Sequence, residues 1–137
     1  MRWTCPQCDR EFARARQSHV CVPGCTVDET FADHPAGQRA AYDAVVEHLR
    51  REGPVHEDAV RIGVFLKSEG KIAELRPKAR GLTLLLFLAR EVDDVRIRRR
   101  ETTAQGRVMH TLRLLDAADV DDAVRAWLSE AYAAADA

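Results

Sequence analysis

Leu82-Thr83-Leu84-Leu85-Leu86-Phe87-Leu88-Ala89 is the stretch on which the fold turns. Both of its alternating faces are apolar, as in a strand that lies inside a sheet. It is strand-sized, far short of the roughly 18 to 20 residues a membrane helix needs, and it is the longest apolar run in the chain. Upstream, Val60-Arg61-Ile62-Gly63-Val64-Phe65-Leu66-Lys67 also has period two. Val60, Ile62, Val64 and Leu66 share one face, and Arg61, Phe65 and Lys67 the other. Ser68-Glu69-Gly70 turns the chain into a short strand, Lys71–Leu75, closed by Pro77. Downstream, Val95–Glu101 reads as an edge strand with Arg96, Arg98 and Arg100 on one side. A hairpin at Gln105-Gly106 leads from it to the last strand, Val108–Leu114.

Helical periods flank this block. Tyr42, Val45, Val46 and Leu49 recur at three- and four-residue spacing, in a helix that begins near Pro35 with Asp33 as cap and stops at Gly53-Pro54. Asp116 opens an N-cap pattern with Asp119 in the capping-box position, and Val120, Val124, Trp127, Leu128 and Ala131 form one face of a closing helix. The expected fold is α+β: a cysteine-rich N-terminal knuckle, a helix, an antiparallel sheet of about four to five strands, and a C-terminal helix. Both helices are expected on one sheet face. The division that follows is a knuckle at 1–27, a linker at 28–34 and a domain at 35–137.

With 137 residues, 46% hydrophobic and 31% charged, the chain has the size and composition of one globular domain with a small appendage. The opening Met1-Arg2-Trp3-Thr4-Cys5 lacks the apolar stretch of a signal peptide, so a cytoplasmic setting is expected, without a membrane partner. The net charge of −1 conceals a segregation. Residues 61–113 carry an excess of seven positive charges, while 26–60 and 114–137 each carry an excess of five negative ones. Either the acidic helices pair with a basic sheet, within the chain or between subunits, or the sheet presents an anion-binding face.

All four cysteines, Cys5, Cys8, Cys21 and Cys25, fall in the first 25 residues with His19 among them. Thiolates and an imidazole in so short a span suit a closed tetrahedral zinc site, whose binding energy replaces a core too small to form. Two disulfides would suit an oxidising compartment, and a CxxC redox pair would need a βαβ surround that is missing. The first pair, in Cys5-Pro6-Gln7-Cys8, sits on a tight knuckle with Phe12 at the packing offset of a Cys2His2 finger. The second pair departs from that finger. His19 and Cys21 are two residues apart, and on a regular helix they would point about 200° apart. Either Cys21 returns from a turn after His19, or the fourth ligand is Cys25, beyond Pro23-Gly24.

Trp3-x-Cys5-Pro6-x-Cys8-x-Arg10-x-Phe12 with Gln17-x-His19-x-Cys21 resembles the start of a family of small uncharacterised bacterial proteins. Gly53-Pro54-Val55, Val60–Lys67, Lys71–Pro77 and the closing Asp119–Tyr132 stretch resemble its continuation, a domain of unknown function that in other proteins sits beside nuclease-like modules. The resemblance implies Cys5, Cys8, His19 and Cys21 as zinc ligands and leaves Cys25 outside the motif. Asp9 stands where the finger-like pattern has glycine. The resemblance implies no reaction.

Nor do the residues themselves recommend one. Gly63, Gly70, Gly81 and Gly106 are scattered and form no phosphate loop. Asp93-Asp94 and Asp121-Asp122 are adjacent and diverge, His110 lies among apolar strand positions, and Ser68 and Ser129 have no His/Asp pattern near them. No catalytic residue is assigned. The expected function is a non-enzymatic zinc-binding module that contacts nucleic acid or another polyanion. The candidate contacts are Arg10, Arg14 and Arg16 beside the knuckle and Arg61, Lys67, Lys71, Arg96 and Arg98 from the sheet. A protein-interaction module, or an enzyme with an unrecognised site, is the alternative.

Overall fold

A computed structural model describes residues 2–135 apart from Ala13 and Ser18. Two short strands, β1 (Trp3–Thr4) and β2 (Glu11–Phe12), pair antiparallel at the N-terminus. After α1 (Val27–Phe31) and α2 (Ala36–Glu52) come β3 (His56–Val60), β4 (Gly63–Lys67), β5 (Lys71–Lys78), β6 (Gly81–Leu88), β7 (Arg99–Thr102) and β8 (Val108–Leu114), and α3 (Asp122–Ala134) closes the chain. The six later strands form one antiparallel sheet in the order β3-β4-β5-β6-β8-β7. The architecture is α+β, as expected, with one strand more than the expected range.

The apolar run occupies β6, between β5 and β8. Leu82, Leu84, Leu86 and Leu88 are fully buried on one face, Leu84 lying between Leu75 of β5 and Leu112 of β8. Burying each such leucine contributes roughly 1.5–3 kcal/mol. Tyr42, Val45 and Leu49 of α2 and Val124, Leu128 and Ala131 of α3 join the same core, so both helices cover this face. A bidentate Arg90–Glu130 pair (2.8 and 2.9 Å) and an Arg96–Asp121 pair (2.8 Å) tie the basic middle of the chain to acidic α3. The charge segregation is thus used, in part, within the chain.

Four local expectations are corrected. The stretch Val60–Lys67 is not one strand. Arg61-Ile62 is a two-residue turn between β3 and β4, so Ile62 is 64% exposed and does not share the face of Val64 and Leu66. Residues 28–34 are not merely a linker, because Thr26 and Glu29 form a reciprocal capping box that starts α1, and Phe31 packs into the core. Asp33 does not cap α2, whose N-cap is Pro35 without a side-chain bond. Asp116 and Asp119 cap only a single 3-10 turn, Ala117–Asp119, and α3 takes its cap from Asp121, which accepts the Val124 N–H. In addition β5 runs through Pro77 to Lys78, and β7 starts only at Arg99, because Asp94 holds residues 94–97 in a turn.

Candidate metal centre

The knuckle is built by the backbone. Cys5 N–H donates to Arg10 O (2.9 Å) and Asp9 N–H donates to Cys5 O (2.8 Å). Closing this loop requires a left-handed residue at position 9, and Asp9 takes φ 62°. Aspartate is among the few residues besides glycine that visit this region readily, so the departure from glycine is absorbed. The second pair comes from an irregular segment, which removes the difficulty of two helical positions pointing apart. His19 Nδ1 lies 2.6 Å from Gln17 O. Donation of Nδ1–H to that carbonyl turns the lone pair of Nε2 toward the thiols, the orienting role that outer hydrogen bonds play at metal-bound histidines. Phe12 stacks on the His19 ring at 3.9 Å, and Trp3 meets it edge-on at 6.1 Å.

The Sγ atoms of Cys5, Cys8 and Cys21 and one ring nitrogen of His19 all lie within 4.8 Å of one another. Cys5 and Cys21 Sγ are 3.7 Å apart, and His19 Nε2 is 3.4 Å from Cys8 Sγ and 3.3 Å from Cys21 Sγ. A tetrahedral ion with ordinary zinc bond lengths would separate two sulfurs by about 3.8 Å and a sulfur from a nitrogen by about 3.6 Å. The donors therefore fit one tetrahedral metal ion. Backbone N–H groups of Cys8 and Gln7 hold the Cys5 thiol down to about 6, while desolvation and the neighbouring Cys5 push Cys21 up to about 11. Thiols so crowded compete for negative charge that a cation would relieve. Cys25 is elsewhere: its N–H donates to Ala59 O (2.9 Å) and its Sγ lies 3.4 Å from Thr30 Oγ1.

The knuckle is riveted to the sheet face opposite the helices. Arg10 donates through Nε to Asp58 Oδ1 (3.0 Å) and through Nη2 to Oδ2 (3.0 Å), and through Nη1 to Val20 O (3.2 Å). Lys67 Nζ donates to the same Asp58 Oδ2 (2.7 Å) and sits 4.2 Å over the Phe12 ring. All three ionic groups are buried. Burial pushes the Asp58 carboxyl up, but bonds from Arg10 and Lys67 outweigh it and hold the group below its usual range.

The eight cationic residues expected to contact polyanions thus divide. Arg10 and Lys67 are consumed by Asp58. Lys71 pairs with Glu74 (2.8 Å), and Arg96 with Asp94 and Asp121. Arg14, Arg16, Arg61 and Arg98 are exposed, with no ion pair among the described residues. Sequence reasoning missed Asp58, because a carboxylate in the polar run His56-Glu57-Asp58 carries no signal that its partner is 48 residues away.

A family model for a domain of unknown function, DUF5655, matches residues 27–135. The chain belongs to the DUF5655 family. The DUF5655 match begins at α1, which places that helix with the domain and the cysteine-rich segment outside it. No curated protein and no solved structure is significantly similar to the chain.

No catalytic constellation accompanies the DUF5655 domain among the described residues. His48 Nε2 lies 2.8 Å from Ser129 Oγ between α2 and α3, a contact the spacing did not foretell, but His48 Nδ1 has no acid behind it. His110 is fully buried. It accepts the Val92 N–H at Nε2 (2.9 Å), and its Nδ1 lies 3.1 Å from Val108 O. Burial, with Arg100 nearby, lowers its pKa. The unfolded chain therefore takes up a proton that the folded chain refuses. Stability should fall as pH drops below about 6.5, by at most about 1.4 kcal/mol per pH unit from this group. His110→Gln should lose that slope in urea titrations at pH 7.5, 6.5 and 5.5; an unchanged slope would remove His110 as its source.

Proposed function

We propose that this DUF5655 protein is a non-enzymatic zinc-binding module in which Cys5, Cys8, His19 and Cys21 hold one structural Zn2+, and that its partner is nucleic acid or another polyanion. The observation that carries the metal reading is the meeting of three thiols and an imidazole within 4.8 Å at tetrahedral spacings. Soft thiolates with one imidazole favour zinc over hard cations. A cytoplasmic setting, where thiols stay reduced, suits four free cysteines. The segment up to residue 27 is then a metal-stabilised cap on the domain, not an independent unit, because Arg10 and Phe12 dock on β3 and β4.

The polyanion reading rests on the four expected contacts that carry no ion pair among the described residues, Arg14, Arg16, Arg61 and Arg98. With so few phosphate contacts, affinity for duplex DNA should fall with salt at a log–log slope of about −3 to −4, independent of sequence. Replacing Arg61 and Arg98 with Ala should flatten the slope by about 2 units. Absence of binding at low salt, or a double variant identical to the parent, would end this reading in favour of protein–protein contact. Pairing between subunits is the weaker reading, since Glu130 and Asp121 already engage Arg90 and Arg96 of the same chain. Zinc itself is tested separately, by whether the purified protein retains one ion per chain through gel filtration.

A further inference from the structure

The docked knuckle does not seal the sheet face that it covers. Between its returning segment and the β3–β4 hairpin lies a cleft of about 400 Å3, within the usual range for small-molecule sites. Phe65 of β4, Val20 and Val22 of the knuckle and Ile62 of the β3–β4 turn line it. Val20 is 77% and Ile62 64% exposed. Of the five exposed large apolar side chains among the described residues, Val20, Val22 and Ile62 line the cleft, and Val95 and Leu115 do not. Apolar surface gathered in a concavity rather than scattered marks a contact site.

The charges beside Phe65 are arranged as two triads. Asp58 is held between Arg10 and Lys67, and Glu74 between Lys71 (2.8 Å) and Arg76 (2.9 Å). Each triad has one positive charge more than it neutralises. They flank Phe65, which pairs with Asp58 on one side and Glu74 on the other, and whose ring has Arg10, Lys67 and Lys71 at 5.3, 5.7 and 5.2 Å. Lys71 and Arg76 keep about two-fifths of their side chains open to solvent, so they have donors to offer. Glu69 also lines the cleft, which leaves an excess of one positive charge over both triads and Glu69.

We propose that this cleft is a binding site for a small organic monoanion, with an apolar body lodged among Val20, Val22, Ile62 and Phe65 and its acidic group met by Arg76 and Lys71. One net positive charge matches one anionic group, and the branched aliphatic lining matches the body. The site requires the knuckle in its docked position and so rests on the metal reading.

The test uses the zinc-loaded chain, with its zinc content measured on the same preparation. Isothermal titration with 1-naphthoate and with octanoate presents the same charge on an aromatic and an alkyl body, and 1-naphthalenemethanol serves as the uncharged control. The expected result is saturable one-to-one binding of at least one acid, with Kd below about 1 mM and the alcohol several-fold weaker. Ile62→Asp, at an exposed turn position that folding does not need, should weaken the acid by at least about tenfold. Arg76→Gln should weaken the acid and leave the alcohol unchanged, and Arg80→Ala, at an exposed position outside the cleft, should match the parent. A zinc-loaded chain that binds neither acid up to about 10 mM, or an Ile62→Asp variant that binds like the parent, overturns the inference and leaves the metal reading standing. A chain that holds no zinc overturns the metal reading instead.

Discussion

Replacing Asp58 with Ala should destabilise the folded chain by about 3–5 kcal/mol, because it leaves the buried Arg10 and Lys67 charges without their shared counter-ion. The loss should appear in urea unfolding and also locally. With Arg10 released from Asp58, the knuckle loses its attachment to β3 and β4, and amide exchange across residues 2–25 should accelerate more than in β6. A combined Arg10→Met, Asp58→Leu, Lys67→Met chain is the informative control. Removing all the charges of a buried group together is often neutral or stabilising, so this variant should recover most of the lost stability. If Asp58→Ala costs under about 1 kcal/mol, the triad is a solvated surface pair and the docking argument fails. Acid should mimic the single substitution. The Asp58 pKa is depressed in the folded state, so its contribution is present above the unfolded value near 3.9 and is lost as pH falls through the lower folded value.

The second large effect is loss of a ligand. Cys21→Ser should release the metal and unfold residues 2–25, since a site of this kind couples binding to folding and supplies on the order of 10 kcal/mol. Cys25→Ser should keep the metal and resist a chelator like the parent, because Cys25 packs beside Thr30 and takes no part in the cluster. The domain from α1 onward should survive in both, with the core between sheet and helices untouched. Should Cys25→Ser strip the metal while Cys21→Ser retains it, the ligand set is wrong.

What could be read from the sequence follows physical lines. Strands β6 and β8 and the core faces of α2 and α3 were legible because each repeats apolar side chains at the period of its own element. The β3 strand was not, because His56-Glu57-Asp58 is polar and is stabilised by distant partners: Glu57 accepts from Tyr42 Oη (2.6 Å) and Asp58 binds Arg10 and Lys67. The two-residue turn at Arg61-Ile62 escaped notice because an apolar residue sits in it, continuing the alternation across the reversal. At the metal centre the spacing of Cys5, Cys8 and His19 pointed to the cluster, while the choice between Cys21 and Cys25 depends on a loop path that no periodicity encodes. Charge was the least legible property. Arg10 and Lys67 look like the solvated cations of a binding face until Asp58 is seen between them, and Arg96 until Asp94 and Asp121 are.

The central claim is that three thiolates and one imidazole hold a zinc ion that docks the knuckle on the sheet. X-ray absorption at the zinc edge on the purified, zinc-loaded chain tests it most directly. The account predicts one ion per chain with three sulfurs at about 2.3 Å and one nitrogen at about 2.0–2.1 Å, and the same shell in Cys25→Ser. A shell of four sulfurs, which would bring in Cys25 and displace His19, or a shell of oxygens alone, would contradict it.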